Sequence, residues 1–151
     1  MKITCESDLS NISENDDVYL TKNIELTGSF GTIEKFSGTF HGQGYTISGL
    51  KKQFIECIKE SGCVKNIKFD DVNLSESSGI FNQNYGLIED VVVTDLTYKG
   101  TSSFGSIVSE NFSTVKKCTV SNSLIDSTGD QVGGICSKGT VNSSIIDCVV
   151  E

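Results

Sequence analysis

The residues of this chain that could carry out chemistry are one histidine, several acidic pairs and six cysteines. His41 could act as a general base, because imidazole titrates near neutral pH. Paired carboxylates split glycosidic bonds in many hydrolases, and their oxygens also bind Ca²⁺. The acidic groups are Asp16 with Asp17, Asp70 with Asp71, and Asp126 with Asp130.

Neither chemistry has the supporting pattern that it requires. No Cys or Ser nucleophile pattern lies near His41, and no Asp-x-Asp-x-Asp-Gly run accompanies the carboxylates. We therefore expect His41 to be an exposed turn residue and the acidic residues to form a solvated surface. The sequence predicts no catalytic, cofactor-binding or metal-binding residues, and hence a protein that is not an enzyme.

The cysteines are even in number, which is compatible with disulfides, but none forms a Cys-x-x-Cys pair. With a single histidine, a zinc site is not expected. We expect buried, reduced thiols, since free cysteine packs as a small hydrophobe. Cys57 and Cys63 are the pair best placed for a bridge, because the loop between them is short. The cysteines are Cys5, Cys57, Cys63, Cys118, Cys136 and Cys148.

Composition excludes several classes of protein. The net charge of −8 and the absence of arginine argue against nucleic-acid binding, which depends on Lys and Arg neutralising phosphates. No apolar run approaches the length of a membrane-spanning helix, so membrane insertion is not expected. No signal-peptide pattern follows Met1. Without arginine, a polysaccharide lyase is disfavoured. The regular rows of Thr with which solenoids bind ice are also missing, so an ice-binding protein is not expected.

The elements that would position any site repeat along the chain. An apolar ladder has steps of 22, 24, 27 and 26 residues, and four of its rungs share a wider frame beginning at Val64, Ile88, Val115 and Val141. A period in the twenties is typical of a solenoid, in which each repeat buries its apolar face by stacking on its neighbours. The ladder is Ile47, Phe69, Val93, Val120 and Ile146.

Short strands with Asn, Ser and Gly turns fill these repeats, and helical periodicity is lacking. The sequence therefore predicts an all-β, right-handed parallel β-helix of about five coils in one domain, residues 1–151. Residues 1–26 form the cap and entry strands, and residues 27–151 form the coils. A helix over residues 5–13, with Ser7 as N-cap and Leu9 and Ile12 turned inward, is expected to cover the open end.

Three segments resemble the GLUG-repeat β-helix domains of bacterial surface and adhesin-like proteins, which also occur beside immunoglobulin A-cleaving metallopeptidases. The most specific is Phe36-x-Gly-Thr-Phe-x-Gly-x-Gly-x-Thr-Ile47-x-x-Leu50. The others are the Asp8–Leu26 entry segment and the Gly-Gly-Ile repeat that ends at Cys148. The resemblance implies a right-handed β-helix with an N-terminal cap, no catalytic residues and a cell-surface or extracellular location. His41 stands where the family pattern has Asp.

The chain stops at Cys148-Val-Val-Glu151 without a capping segment. We expect this end to dock another protein or a second copy, or to continue in a longer polypeptide, because an uncapped coil exposes strand edges and apolar side chains. The expected function is a non-enzymatic structural or interaction module: a spacer, an adhesin segment or an assembly component. The alternative is a carbohydrate-binding or carbohydrate-active module on the same scaffold, so a glycan partner is also considered.

Overall fold

The computed structural model, which describes residues 1–151, is a parallel β-solenoid of about five turns. All strand pairings are parallel, and the strands of the middle coils, such as Cys63–Asp70 and Phe81–Asn84, pair with their equivalents in the coils before and after them. Apart from one helical turn, the chain consists of short strands joined by turns. The predicted all-β solenoid is confirmed.

The strands are short because each coil turns several corners. The single helix, α1, is Glu6–Leu9. The strands, numbered in chain order, are β1 Lys2–Ile3, β2 Val18–Leu20, β3 Ile24–Glu25, β4 Ile33–Phe36, β5 Thr39–His41, β6 Thr46–Ser48, β7 Ile55–Ile58, β8 Cys63–Asp70, β9 Val72–Ser75, β10 Phe81–Asn84, β11 Leu87–Gly100, β12 Phe104–Gly105, β13 Val108–Asn111, β14 Thr114–Lys116, β15 Thr119–Ser127, β16 Val132–Gly133, β17 Cys136–Gly139, β18 Ser144–Ile146 and β19 Val149–Val150.

Three sheets form the walls of the solenoid. The largest has 12 strands and follows the order β1-β2-β5-β8-β11-β14-β18, with β3, β6, β9, β15 and β19 joined to this path. The second has the order β4-β7-β10-β13-β17, and β12 pairs with β16 in the third. A side chain therefore lies directly beside its equivalent one coil away, about 4.8 Å along the axis.

The core is a continuous column of apolar side chains inside the coils. One cluster of 33 buried residues runs from Ile3 to Val120. Phe54 stands at its centre and packs edge-on against Phe40 and Phe69, with ring centroids 5.5 and 5.2 Å away. Because each coil buries its side chains only against its neighbours, stability is distributed along the axis.

The predicted ladder is confirmed from Ile47 to Val120 and is wrong in the last repeat. Val120 pairs with Val150 and not with Ile146, so the final step is 30 residues. The frame likewise begins at Ile145, which pairs with Val115, and not at Val141, which is 99% exposed. A hydrogen-bonded turn from Thr140 to Ser143 takes up the additional residues before the strand begins.

Recurring corners place non-glycine residues in the left-handed region of backbone conformation. Two columns of such residues run along the large sheet. The first is Asn66, Asp90, Lys117 and Asp147, and the second is Asp71, Asp95 and Asn122. Asn and Asp tolerate positive φ better than other non-glycine residues, which explains their recurrence. Lys117, with φ of 53°, is the exception in its column.

The glycines of the Phe36–Leu50 segment have different roles from one another. Gly44 has a φ of +76°, whereas Gly42 does not adopt positive φ, and Gln43 does so instead. Gly42 is required by space, because a Cβ there would lie 2.4 Å from the carbonyl oxygen of Asn66. Backbone conformation thus explains the glycine at position 44, and close packing explains the one at position 42.

The N-terminal helix is shorter than predicted. It spans Glu6–Leu9, its N-cap is Cys5 and not Ser7, and the Asp8 carboxylate accepts the Cys5 N–H at 3.2 Å. Leu9 is buried and Ile12 is partly buried against the core, so the predicted inward pair is confirmed. One turn is sufficient because tertiary packing of Leu9, and not helix propensity, holds the segment in place.

Candidate functional site

His41 is a packing residue in the structure. It lies half-buried at the end of β5, and its ring stacks on that of Tyr19 with centroids 4.4 Å apart and planes within 4°. Burial lowers the pKa of His41, and the charge of Lys65 lowers it further, while Asp17 opposes both. The prediction of an exposed turn residue was wrong, because outward side chains of successive coils stack in rows along the axis.

The acidic residues hold the backbone and do not converge on a common point. The Asp16 carboxylate accepts the Ser13 N–H at 2.8 Å, and that of Asp17 accepts the Thr39 N–H at 3.2 Å. Asp71 occupies a left-handed corner. Asp126 and Asp130 are exposed, and no three His, Cys, Asp or Glu side chains gather closely enough to hold a metal ion.

All six cysteines are free thiols in the structure. Cys57 and Cys63, the pair favoured for a bridge, are not bonded, since they lie on β7 and β8 in different sheets. The expectation of burial holds for Cys57 and Cys118 but not for Cys5, which is exposed. Cys118 lies in the core, and burial raises the pKa of its thiol to about 12.

Aromatic side chains stack on one another along the axis. The rings of Tyr85 and Phe112 are parallel, with centroids 4.5 Å apart, and Tyr98 is buried against Phe104. In each stacked pair at the surface, one face of each ring is covered by its neighbour. A sugar-binding platform instead needs a free aromatic face, so these rows offer little area for stacking on a glycan.

The surface depressions are open and mainly polar. The largest two have volumes of about 530 and 480 Å³ and share the outer side of β4. One of them separates β4 from the N-terminal cap and is lined by Leu9, Ile12 and Glu14, among others. The larger depression is lined by Cys57 and Glu56, but no hydrogen bond joins the thiol to a carboxylate.

The C-terminal coil, defined as residues 128–151, has the most distinctive surface of the molecule. Val150 continues the inward column of Val120, and Ile145 continues that of Val115. Val120 and Val115 are fully buried, whereas Val150 is 52% and Ile145 49% exposed. The same residue types are therefore core in one coil and surface in the next.

Other apolar residues extend this surface. Val132 is half-exposed although its partner Phe104 is fully buried, and Ile146 and Val149 are exposed on the outward side of the same coil. The strands β16, β17, β18 and β19 each pair on one side only. The coil thus presents apolar side chains together with unpaired backbone N–H and C=O groups, a combination that favours pairing with another strand.

The opposite end of the solenoid is covered. Leu9 of α1 and Ile3 of β1 are buried in the core cluster. The Glu6 carboxylate accepts hydrogen bonds from the Thr27 N–H at 2.9 Å, the Thr27 Oγ1 at 2.6 Å and the Phe30 N–H at 2.8 Å. These bonds lower the pKa of Glu6 to about 2. They fasten the cap across the first coil.

The sequence predicted an interacting C-terminal end, but it placed Val141 and Ile146 in the inward columns that Ile145 and Val150 occupy. The signal for the correct register was present, because Val115-x-x-Cys-x-Val120 and Ile145-x-x-Cys-x-Val150 share one pattern. Comparisons of the chain with protein families, curated proteins and solved structures return no match. The structure contains no helix with the length and apolar character to cross a bilayer.

Proposed function

We propose that this chain is a non-enzymatic structural and interaction module that assembles through its C-terminal coil. The observation that carries the proposal is the contrast within one column, in which Val120 is fully buried and Val150 is half-exposed. An apolar surface of this kind on a stack of strands is completed by another strand-rich surface with the same spacing.

The occupant that we propose is the C-terminal coil of a second copy. A copy offers apolar columns and free strand edges with the same separations, so the two surfaces match without rearrangement. The N-terminal end cannot take this place, because α1 and the segment fastened by Glu6 cover it. Head-to-tail stacking into a filament is therefore blocked, and the contact closes as a symmetric dimer.

Burial of the exposed apolar side chains is the main favourable contribution to such a contact. Completing the burial of half-exposed residues such as Ile145, Val149 and Val150 is worth roughly 1 kcal/mol for each side chain. New hydrogen bonds along the edges of β18 and β19 add to this. Both contributions must exceed the cost of lost translational and rotational freedom, which is at least about 4 kcal/mol.

A GLUG-type origin of the scaffold is part of the proposal, and the roles of the motif residues support it. Gly38 and Gly42 permit the close approach of neighbouring backbones, since a Cβ at either would overlap a carbonyl oxygen. Phe36, Phe40 and Ile47 are fully buried. These motif residues therefore build the entry coils. This agrees with a spacer, adhesin segment or assembly component.

The test is the mass of the protein in solution, measured by light scattering after size exclusion over a range of concentrations. We expect a dimer that dissociates on dilution, and an Ile145→Lys, Val150→Lys double variant that stays monomeric. Thr97→Lys is the matched control, because Thr97 is exposed on β11 and has a paired strand on each side. A wild-type protein that is monomeric at high concentration would overturn self-association.

A carbohydrate-binding module is the second candidate, and one observation favours it. Exposed Tyr85 lines an open depression with Lys59, Glu60 and Ser61, which together offer an aromatic edge and polar groups to a sugar. A panel of neutral and acidic polysaccharides tests this candidate. Specific binding that disappears in Tyr85→Ala but persists in Thr97→Lys would favour it over assembly.

A further inference from the structure

Two cysteines of successive coils meet beneath the C-terminal surface. Thr119 pairs with Val149 and Lys116 with Ile146, so Cys118 and Cys148 are in register at equivalent corners of neighbouring coils, each between two strands. Cys118 is fully buried, and Cys148 is partly buried against the same core cluster. Both side chains therefore point to the inside of the solenoid, one directly above the other.

The register of the two coils brings Cys118 and Cys148 within the Cα spacing at which a disulfide can form. Neighbouring strands lie about 4.8 Å apart, and bridged cysteines have Cα atoms about 4.4–6.8 Å apart. The backbone N–H of Cys118 donates to the Sγ of Cys148 at 3.4 Å, which places that sulfur over its partner residue. In the opposite direction, the Val149 N–H donates to the Cys118 carbonyl oxygen at 2.9 Å, which fixes the register.

We propose that Cys118 and Cys148 form a reversible disulfide that fastens the C-terminal coil to the coil beneath it. The co-reactant is a low-molecular-weight disulfide such as oxidised glutathione. The inference stands on the register of β14 with β18 and of β15 with β19, and it does not depend on the proposed dimer.

The reaction proceeds by two exchanges. The Cys148 thiolate attacks one sulfur of the small disulfide, a mixed disulfide forms, and one small thiolate leaves and takes up a proton. The Sγ of Cys118 then attacks the Sγ of Cys148, its proton passes to the departing sulfur, and a second small thiol is released. Two protein thiols are oxidised and one small disulfide is reduced to two thiols.

The order of the two steps follows from exposure. Cys148 belongs to the last coil and is accessible at its surface, whereas Cys118 is reached only through Cys148. Burial also raises the pKa of the Cys118 thiol to about 12, so its thiolate is scarce at neutral pH. We therefore expect the second exchange to limit the rate, and the bridge to form faster at pH 9 than at pH 7.

No other pair of cysteines has this arrangement. Cys57 and Cys63 lie in different sheets, and Cys5 is exposed beside the N-terminal helix. Cys136 belongs to the second sheet, where its partner in the preceding coil is Val108. The register of the solenoid thus selects Cys118 and Cys148 from the six cysteines.

The experiment incubates the reduced protein with oxidised glutathione, quenches it with acid and alkylates the remaining thiols after unfolding. Four of the six thiols are expected to react, and peptide mapping is expected to join the segments that contain Cys118 and Cys148. The bridge closes a loop of about 30 residues, so the melting temperature should rise by roughly 5–10 °C. Adding dithiothreitol should reverse both changes.

Variants separate this bridge from other oxidation. Cys148→Ser and Cys118→Val should lose the cross-linked peptide and the thermal shift, whereas Cys136→Ser should retain both. Valine suits position 118 because Val91 occupies the same column one coil earlier. The proposal would be overturned if six thiols stayed reactive, if another pair were joined, or if the disulfide linked two protein molecules.

Discussion

The two ends of the solenoid differ in how their apolar side chains are covered. At the N-terminal end, Leu9 lies over the core and Glu6 fastens the cap to the segment from Thr27 to Phe30. At the C-terminal end, Val150 and Ile145 occupy core columns and remain half-exposed. A repeat protein requires a cover on each outer face. The proposed contact lies at the end whose core columns are exposed.

The middle coils and the last coil also differ in the surroundings of their apolar residues. Residues of the middle coils have neighbours on both sides, so their apolar side chains are core residues. Residues of the last coil have neighbours on one side only, so equivalent side chains are exposed. Position along the axis decides the role of a residue that the local sequence leaves undetermined.

The largest effect is expected from one substitution made at two positions of the same column. Val120→Asp buries a carboxylate between coils and should unfold the domain, because removing an ion from water costs several kcal/mol. Val150→Asp should leave the fold intact at low protein concentration and weaken self-association instead. Denaturant titration of both variants, combined with their mass in solution, checks this difference.

Asp71→Asn is the matched control, since asparagine also tolerates the positive φ of this corner, and we expect almost no change in stability. Val93→Asp should behave as Val120→Asp does, because Val93 is fully buried in the same column. Equal melting temperatures for Val120→Asp and Val150→Asp would contradict the assignment of coils to the interior and to the end.

An intermediate effect is expected at the N-terminal cap. Glu6→Gln replaces one acceptor oxygen by a donor and should therefore lower the free energy of unfolding. The loss should be only about 1 kcal/mol, because solvent competes for these hydrogen bonds. The folded pKa of Glu6 is lowered to about 2, against about 4.3 when unfolded. Its contribution is therefore present above pH 4.3 and lost as the pH falls through about 2.

Unfolding curves of the wild type and Glu6→Gln between pH 2 and pH 7 measure this dependence. The two proteins should differ at neutral pH and converge towards pH 2. Glu60→Gln is the control, because Glu60 is exposed at a turn away from the cap. A difference that stayed constant across this range would show that the Glu6 carboxylate does not fasten the cap.

The smallest effect is expected at a corner near the C-terminal end. Lys117 holds a φ of 53°, a conformation in which its column otherwise uses Asn and Asp. Lys117→Asn should stabilise the domain by about 0.5–1 kcal/mol, since asparagine relieves part of the strain. Thermal and denaturant unfolding measure the gain. The opposite substitution at a corner of the second column, Asn122→Lys, should destabilise the domain by a similar amount. If both variants were less stable than the wild type, the two corners would not be equivalent.

Much of the fold was predictable because the repeats leave a mark on the sequence. The ladder from Ile47 to Val120 was placed correctly, since each member must fill the same interior column. The last rung was placed incorrectly at Ile146, because an apolar residue at that spacing satisfied the pattern while facing outward. Variable turn lengths between coils limit such reasoning, as they change the register without changing residue type.

The candidate site was predictable in location but not in its residues. The sequence indicated an uncovered C-terminal end, yet it assigned Val141 to the interior, where the structure has Ile145. It also treated the cysteines as separate buried thiols and did not pair Cys118 with Cys148. Their proximity depends on a step of 30 residues that only the pairing of β15 with β19 defines.

By itself the sequence determined the architecture, because a recurring row of apolar residues without helical periodicity can be buried only by stacking coils. The tertiary structure alone decided which apolar residues of the last repeat occupy core columns and which face outward. It also decided which cysteines meet and how the first coil is covered by a single helical turn. The reason is that these properties depend on the register between coils, and short strands leave that register to the turns that connect them.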